Sequence, residues 1–373
     1  MSETVIVGVS GGVDSAVAAL LLQRQGYAVQ GLFMSNWDED DAYCTIAEDY
    51  QDARRVCDLL NIPLHRVSFA AEYRERVFAF FLREYRAGRT PNPDVLCNRD
   101  IKFGVALSYM QRLGADRIAT GHYARLEHGT AGASLLRAAD TSKDQTYFLH
   151  AVAPAALQRT VFPIGNLQKS EVRKLAHSHG LAVHDKPDST GICFIGERPF
   201  RDFLARYVDI TPGPIESAEG TLVGEHRGLA FYTLGQRSGL GLGGRRGASE
   251  APWYVAAKDV QRNALVVVQD HDHVLLQSDS FSVADLHWLS PPAEAQFACS
   301  VKTRYRQRDL PCHINLRADG SVQVTLQSPA RAVTPGQYAV FYADERCLGG
   351  GVIVERALQR PIAYNQGLLQ EVS

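Results

Sequence analysis

The sequence predicts an α/β chain in three parts: a parallel sheet flanked by helices, a small and mostly β segment, and a β-barrel. Three observations carry that prediction. The first half alternates short apolar runs with helical stretches, the pattern of strand–helix units in a parallel sheet. Near residue 207 the character changes, and residues 210–247 are crowded with glycine and proline. Beyond about residue 278 the apolar residues recur at every second position between turn signals, as in a small antiparallel barrel. The expected divisions are 1–207, 208–277 and 278–373.

The elements follow in order. Thr4–Val9 is an apolar run and reads as a buried strand. Asp14–Gln25 reads as a helix, stopped by Gly26 at the position where a C-cap glycine sits. Val29–Met34 is a second strand, Ala42–Leu60 has helical character, and Leu64–Phe69 is a third short strand. Ala71–Tyr85 is an amphipathic helix and Ile101–Leu113 another. Arg117–Thr120 reads as a strand ending at Gly121-His122, and helical segments continue through Lys143–His150 and Lys169–Ser178. The central part offers Trp253–Ala256 and Ala264–Val268 as short strands. The last part offers Ala298–Tyr305, Cys312–Leu316, Val322–Leu326, Tyr338–Tyr342 and Gly351–Glu355. Turns at Ala318-Asp319-Gly320 and Thr334-Pro335-Gly336 separate them.

Composition narrows the function classes. The chain has 373 residues, 45% apolar and 21% charged, with a net charge of −2. No global basic field announces a nucleic-acid partner, although a local basic surface is enough for one. No basic-then-apolar leader opens the chain, and no apolar run approaches the roughly 18 residues of a membrane span. A cytoplasmic protein with no membrane partner is expected. The cysteines are Cys44, Cys57, Cys97, Cys193, Cys299, Cys312 and Cys347. Their odd count and the lack of any Cys-x-x-Cys argue against a disulfide framework and against a structural zinc site. Most are expected to be small buried hydrophobes.

Chemistry concentrates first at residues 8–15, Gly8-Val9-Ser10-Gly11-Gly12-Val13-Asp14-Ser15. A strand, a glycine turn and a helix start in that order make an anion site, because the unpaired N–H groups of the first helical turn point into the bend. It lies where open α/β sheets place ligands, at the carboxyl end of a strand. The Gly-Lys-Ser/Thr ending of the ordinary phosphate loop is missing, so no lysine here holds β- and γ-phosphates. The stretch resembles the SGGxDS loop of the ATP pyrophosphatases, enzymes that cleave ATP between the α- and β-phosphates and adenylate an acceptor. Met34 and Gly121 stand at other strand ends on the same side.

A second motif, Asn92-Pro93-Asp94-Val95-Leu96-Cys97-Asn98, follows a loop rich in proline. It sets a carboxylate and a thiol three residues apart, a spacing that puts both on one face of a helical turn. If Cys97 begins the following helix, the helix dipole would lower its thiol pKa. Taken alone, Asp-x-x-Cys is the pattern of a buried structural cysteine and a turn aspartate. Another cysteine, Cys193, sits between glycines in Asp188-Ser189-Thr190-Gly191-Ile192-Cys193-Phe194-Ile195-Gly196, outside any clear periodic element.

The ordered set SGGVDS, NPDVLCN and STGICFIG resembles the bacterial tRNA-specific 2-thiouridylases (the MnmA/TrmU family). Phe33–Trp37, Ala119–Tyr123, Lys143–Leu149 and Tyr232–Arg237 also resemble that family's signatures, and the likeness runs from residue 5 to about 355. The resemblance implies an adenine-nucleotide α-hydrolase-like first domain and an ATP-dependent replacement of a wobble-uridine oxygen by sulfur. In that chemistry the base's C2 oxygen is adenylated, and a sulfur nucleophile then displaces AMP. It implies Cys193 as persulfide carrier, Cys97 as nucleophile or resolving thiol that pairs with it, and Asp94 as acid–base group. Gly8–Ser15, Met34 and Gly121 would contact ATP, with Mg²⁺ carried on the nucleotide rather than held by the protein. Asn92, Pro93 and Asp94 would meet the target base, which must leave its stack to be modified. His122, Lys143, Asp144, Gln145, Arg304, Tyr305 and Gln337 would meet tRNA, with tRNAs for Lys, Glu and Gln as acceptors. A persulfide relay protein or cysteine desulfurase would supply sulfur. Physically, Arg304, Arg306 and Arg308 alternate on the expected strand and would share one face, fit for phosphates or simply for solvent. The basic residues Arg237, Arg245 and Arg246 lie in the glycine-rich segment, as a tRNA surface or a plain loop. Two rival readings keep only the nucleotide loop: an adenylating amidoligase, and a nucleotide or RNA sensor without catalysis. Neither gives Cys97 and Cys193 a task.

Overall fold

The run at residues 4–8 becomes the centre of a sheet because it is apolar and closed in from both faces; Val5, Ile6 and Val7 have no exposed surface. In the computed structural model, which describes residues 2–37, 46–129, 132–188, 200–208, 210–242 and 251–358, this strand is β1 (Thr4–Gly8). It is followed by β2 (Ala28–Ser35), β3 (Leu64–Ser68), β4 (Arg117–Thr120), a hairpin of β5 (Arg125–Gly129) and β6 (Gly132–Leu136), and β7 (Thr160–Val161). The order β3-β2-β1-β4-β7 forms a five-stranded sheet, and every pair in it is parallel. Helix α1 (Val13–Arg24) buries Val13, Val17, Leu20 and Leu22 in a core shared with β1 and with α2 (Ile46–Leu60).

The expected helix at Ile101–Leu113 starts earlier. Asn92 caps it by accepting the Asp94 N–H at 3.2 Å, and Pro93 occupies the first turn, where a missing N–H costs nothing. The chain then runs helically through Pro93–Leu96, a π-helical stretch Cys97–Val105, and Ala106–Arg112. Cys97 is therefore a full turn inside the helix rather than its first residue, which removes the expected dipole argument for its thiol. The expected helix over Ala71–Tyr85 likewise carries a π-helical middle, Arg74–Phe78, between Ala70–Tyr73 and Ala79–Arg86. Of Lys143–His150, only Thr146–Leu149 is helical.

The central part is a four-stranded sheet in the order β10-β11-β8-β9. Its strands are β8 (Gly213–Ser217), β9 (Leu222–His226), β10 (Trp253–Asp259) and β11 (Ala264–Gln269), with β8 and β11 parallel. The last part is an antiparallel barrel of β12 (Gln277–Trp288), β13 (Gln296–Lys302), β14 (Leu310–Leu316), β15 (Val322–Arg331), β16 (Tyr338–Ala343) and β17 (Arg346–Arg356). The order is β12-β15-β14-β13-β16-β17, and pairing of β12 with β17 closes it. The β5–β6 hairpin, which ends at Leu136, far upstream of the barrel's first strand at Gln277, joins this sheet where Leu136 pairs with Arg346. First domain and barrel thus share hydrogen-bonded β structure.

One expected strand is too long. Ala298–Tyr305 stops at Lys302, because Gln307 Oε1 accepts from Thr303 N at 2.7 Å and Arg304 N at 3.2 Å and bends the chain into a turn. Arg306 sits at φ 62°, outside the extended region. Arg304, Arg306 and Arg308 therefore do not share a strand face.

Candidate active site

The loop after β1 is built as an anion cradle. Gly11 has φ 78° and faces the backbone of α2; a Cβ there would stand 2.3 Å from the Asp49 carbonyl oxygen. No side chain caps α1 at Gly12, so its first N–H groups face the loop. Ser15 Oγ donates to the Gly12 carbonyl at 3.1 Å, accepts from Ser10 N at 3.1 Å and lies 3.3 Å from Ser10 Oγ, which holds the turn closed. Gly121, which the resemblance sets against ATP, packs closely on the start of α1. Its tightest neighbours are in α1: a Cβ would lie 2.6 Å from Ser15 N and 2.7 Å from the Asp14 carbonyl carbon. Gly8 is close to Met34, whose Cε would meet its Cβ at 3.5 Å. Met34 itself packs against the cluster that holds Cys97.

A charged network that the sequence did not disclose lies beside the loop. Asp14 accepts from Lys169 Nζ with both oxygens, at 2.7 and 2.8 Å, and from the Tyr123 hydroxyl at 2.9 Å. Lys169 Nζ also reaches Asp188 at 2.7 Å. Asp188 is held further by Lys143 at 2.7 Å and Arg173 at 3.2 Å. Burial pushes the Asp188 carboxyl upward, but the hydrogen bonds from Lys143 and Lys169 outweigh it and bring its pKa down to about 2. Burial, then the neighbouring Asp14 charge, raise the Tyr123 phenol, so it stays a donor. Arg173 also donates to the carbonyls of His184 and Lys186, while Lys186 bridges Asp49 and Asp52 of α2. The chain entering residues 189–199 is thus tied to the Ser10–Ser15 loop through Asp188. Cys193 and the STGICFIG motif lie outside the described residues, as do Cys44, Arg245 and Arg246.

Asn92, Pro93 and Asp94 come to one helix start, with Cys97 a turn further in and fully buried among Leu96, Ile101, Trp37 and Phe203. Asn98 Nδ2 donates to the Asp94 carbonyl at 3.0 Å. The preceding loop is clamped from two sides. Gln337 Nε2 donates to the Thr90 carbonyl at 2.7 Å, Thr90 N to the Pro335 carbonyl at 3.3 Å, and Thr90 Oγ1 lies 3.5 Å from Thr233 Oγ1. The barrel and a loop of the central part together fix the approach to Asn92. Buried Asn36, just past β2, has no partner for either amide atom among the described residues, and Asn98 Oδ1 has none either.

The other expected RNA contacts divide by exposure. Lys143 is partly exposed on Asp188, and Tyr305 packs on Phe148 with ring centroids 4.4 Å apart. Gln145 exchanges hydrogen bonds with Tyr123, through its side-chain oxygen and its backbone N–H, both at 2.9 Å. His122, Asp144 and Arg304 face inward. His122 is buried beside Thr120, Phe103 and Phe162, and burial followed by the Lys102 charge keeps its imidazole neutral. Asp144 is buried and accepts from Ala138 N and Thr146. Arg304 donates to the Leu234 and Ala332 carbonyls and to Thr334 Oγ1, joining barrel to central segment.

A parallel sheet in the order 3-2-1-4, with an uncapped helix start and a glycine turn after its central strand, defines a nucleotide-binding α/β protein of the HUP class. The family model described as tRNA methyl transferase HUP domain matches residues 3–197. Those described as tRNA methyl transferase PRC-barrel domain and aminomethyltransferase beta-barrel domain match residues 201–269 and 278–353. The chain is 57% identical to the tRNA-specific 2-thiouridylase MnmA of Chromohalobacter salexigens over 94% of its length and 92% of the relative's. It is 56% identical to that of Methylococcus capsulatus over 95% and 96%, and 57% identical to that of Sodalis glossinidius over 95% and 97%. The chain belongs to the tRNA-specific 2-thiouridylase family and is an enzyme. Among the described residues no helix is long and apolar enough to cross a membrane, and no three or more His, Cys, Asp or Glu group as metal ligands.

Proposed function

We propose that the protein 2-thiolates the wobble uridine of tRNA, using ATP to activate the base and a cysteine persulfide to deliver sulfur. The observation that carries the reading is the tether at Asp188. Through Lys169 it joins the SGGVDS loop to the chain five residues before Cys193 (193 − 188). This tie between the nucleotide loop and the residue that leads toward Cys193 supports the reading.

In this reading the uracil C2 oxygen attacks the α-phosphate of ATP and pyrophosphate leaves. Gly8–Ser15 cradle the phosphates, with Met34 and Gly121 at the nucleotide's edge. Asp14 and the Ser10 and Ser15 hydroxyls are hard oxygen donors and suit a Mg²⁺ that arrives with ATP. The terminal sulfur of a Cys193 persulfide attacks the activated C2, AMP departs, and Cys97 attacks the remaining Cys193 sulfur, leaving a Cys97–Cys193 disulfide that an external thiol reduces. Asp94 moves the proton at the base, held near it by the Asn92 cap. Lys143, Gln145, Tyr305 and Gln337 meet RNA directly, while His122, Asp144 and Arg304 hold those surfaces in shape. The acceptors are tRNAs for Lys, Glu and Gln, in the cytoplasm, and a persulfide relay protein or cysteine desulfurase loads Cys193.

The test is nucleoside mass spectrometry of tRNA incubated with protein, ATP, Mg²⁺ and a persulfide source. 2-Thiouridine at the wobble position, lost in both Cys97→Ala and Cys193→Ala, is expected. Full thiolation by Cys193→Ala would sink the persulfide role, and AMP formation without any thionucleoside would favour an amidoligase.

A further inference from the structure

The Ser10–Ser15 loop has no lysine of its own, and a triphosphate held by N–H dipoles alone keeps most of its negative charge uncompensated. The fold brings a lysine to the loop from elsewhere. Lys169 is the first residue of the helix Lys169–Ser178, 155 residues from Asp14. Its backbone is fixed: Gln168 and Glu171 form a reciprocal capping box, and Asp140 accepts the Lys169 N–H at 2.9 Å. Its side chain is only 11% exposed. Among the described residues its ammonium meets three carboxylate oxygens, two from Asp14 and one from Asp188, and stands 5.7 Å from the centre of the Tyr123 ring.

Resting on the ATP reading above, we propose that Lys169 binds the β- and γ-phosphates of ATP, supplying the cation that the loop lacks. Carboxylate and phosphate oxygens are the same class of acceptor for an ammonium. The surrounding charges permit the exchange without stranding a buried ion. If Lys169 turns from Asp188 to phosphate, Asp188 keeps Lys143 and Arg173. Asp14 keeps the Tyr123 hydroxyl and is free to meet the divalent cation that accompanies ATP. Asp140 takes no part in the exchange, because it faces the backbone N–H of Lys169 and the N–H and hydroxyl of Ser142.

The experiment compares the affinities of unreactive α,β-methylene-ATP and of AMP by titration calorimetry with Mg²⁺. For Lys169→Gln, the analogue is expected to bind about 30-fold more weakly, with AMP changed less than twofold. Lys169→Arg keeps the charge and is expected to retain most of the analogue's affinity; it also serves if Lys169→Gln fails to fold. Equal loss of AMP and analogue in Lys169→Gln would reduce Lys169 to a prop for Asp14 and overturn the proposal, as would an unchanged analogue affinity or a 30-fold loss in Lys169→Arg. Failure of both nucleotides to bind the unsubstituted protein overturns the ATP reading and this proposal together. Selective loss in Lys169→Gln by a protein that never thiolates tRNA upholds Lys169 and overturns only the thiolation.

Discussion

Gly121 shows how one hydrogen in place of a methyl group can govern a site. The neighbours of its absent Cβ are backbone atoms of Asp14 and Ser15, and backbone cannot rotate away as a flexible side chain can. Gly121→Ala forces the start of α1 to move, a strain of about 1–3 kcal/mol by analogy with overfilled cores. In the proposed reading the displaced atoms face the phosphates, so α,β-methylene-ATP affinity is expected to fall about tenfold or more, read by calorimetric titration; an unchanged affinity would separate the α1 start from nucleotide binding. Asn92 and Asp94 allow a cleaner division of roles. Asn92→Ala removes a helix cap worth about 1 kcal/mol, so the thermal midpoint is expected to drop by about 2 °C. Asp94→Asn leaves that cap intact. Its melting curve is expected to match the parent's while single-turnover thiolation slows by about 100-fold or more, the usual scale of a lost acid–base group. A midpoint drop in Asp94→Asn equal to that of Asn92→Ala would return Asp94 to a structural role.

At the scale of elements, the decisive contact is between a barrel turn and a loop of the first domain. Gly336, at φ 90°, comes so near the loop that a Cβ would lie 3.0 Å from Thr90 N. Gln337 then bonds the Thr90 carbonyl two residues before Asn92 (92 − 90). Gln337→Ala removes that clamp, worth about 1 kcal/mol as a neutral hydrogen bond. The expected result is a fall of about tenfold in kcat/KM for tRNA with ATP affinity unchanged; parallel loss of both would place Gln337 in general stability. Such contacts also mark where the sequence stops being legible. The strands β1, β2, β3 and β4 and the helix Lys169–Ser178 were readable because apolar periodicity and caps are local. The β5–β6 hairpin was not, since its five-residue strands carry little apolar alternation and gain their stability from the barrel edge they join. The end of β13 was missed because one side chain, Gln307, captures the backbone that would have continued it. At the site, the SGGVDS loop and Asn92–Cys97 were legible as contiguous motifs. Lys169, Asp188, Tyr123 and Arg173 were not, because only folding brings these separated charges together.

The whole molecule is held by junctions that carry buried histidines, and this gives its stability a pH dependence. His150 lies between the first domain and the barrel, with Nδ1 on the Tyr147 carbonyl at 2.7 Å and its ring 5.1 Å from that of Tyr338. Burial pushes its pKa down to about 4. His287 of β12 reaches back to the Val152 carbonyl at 3.1 Å, and its pKa is lowered by burial as well. A neutral buried imidazole disfavours the proton that the unfolded chain accepts near its ordinary pKa of about 6.5. Between that value and about 4 the unfolded state therefore binds more protons. The stabilisation is complete above pH 6.5 and is lost as pH falls toward 4. For His150 the loss between pH 7 and 5 amounts to about 2 kcal/mol. His150→Asn keeps an N–H for the Tyr147 carbonyl and removes the titration. Urea unfolding at the two pH values is expected to show the unsubstituted protein losing about 2 kcal/mol more than this variant. If both lose the same amount, acid acts on other groups and the junction between first domain and barrel does not set the acid limit of the fold.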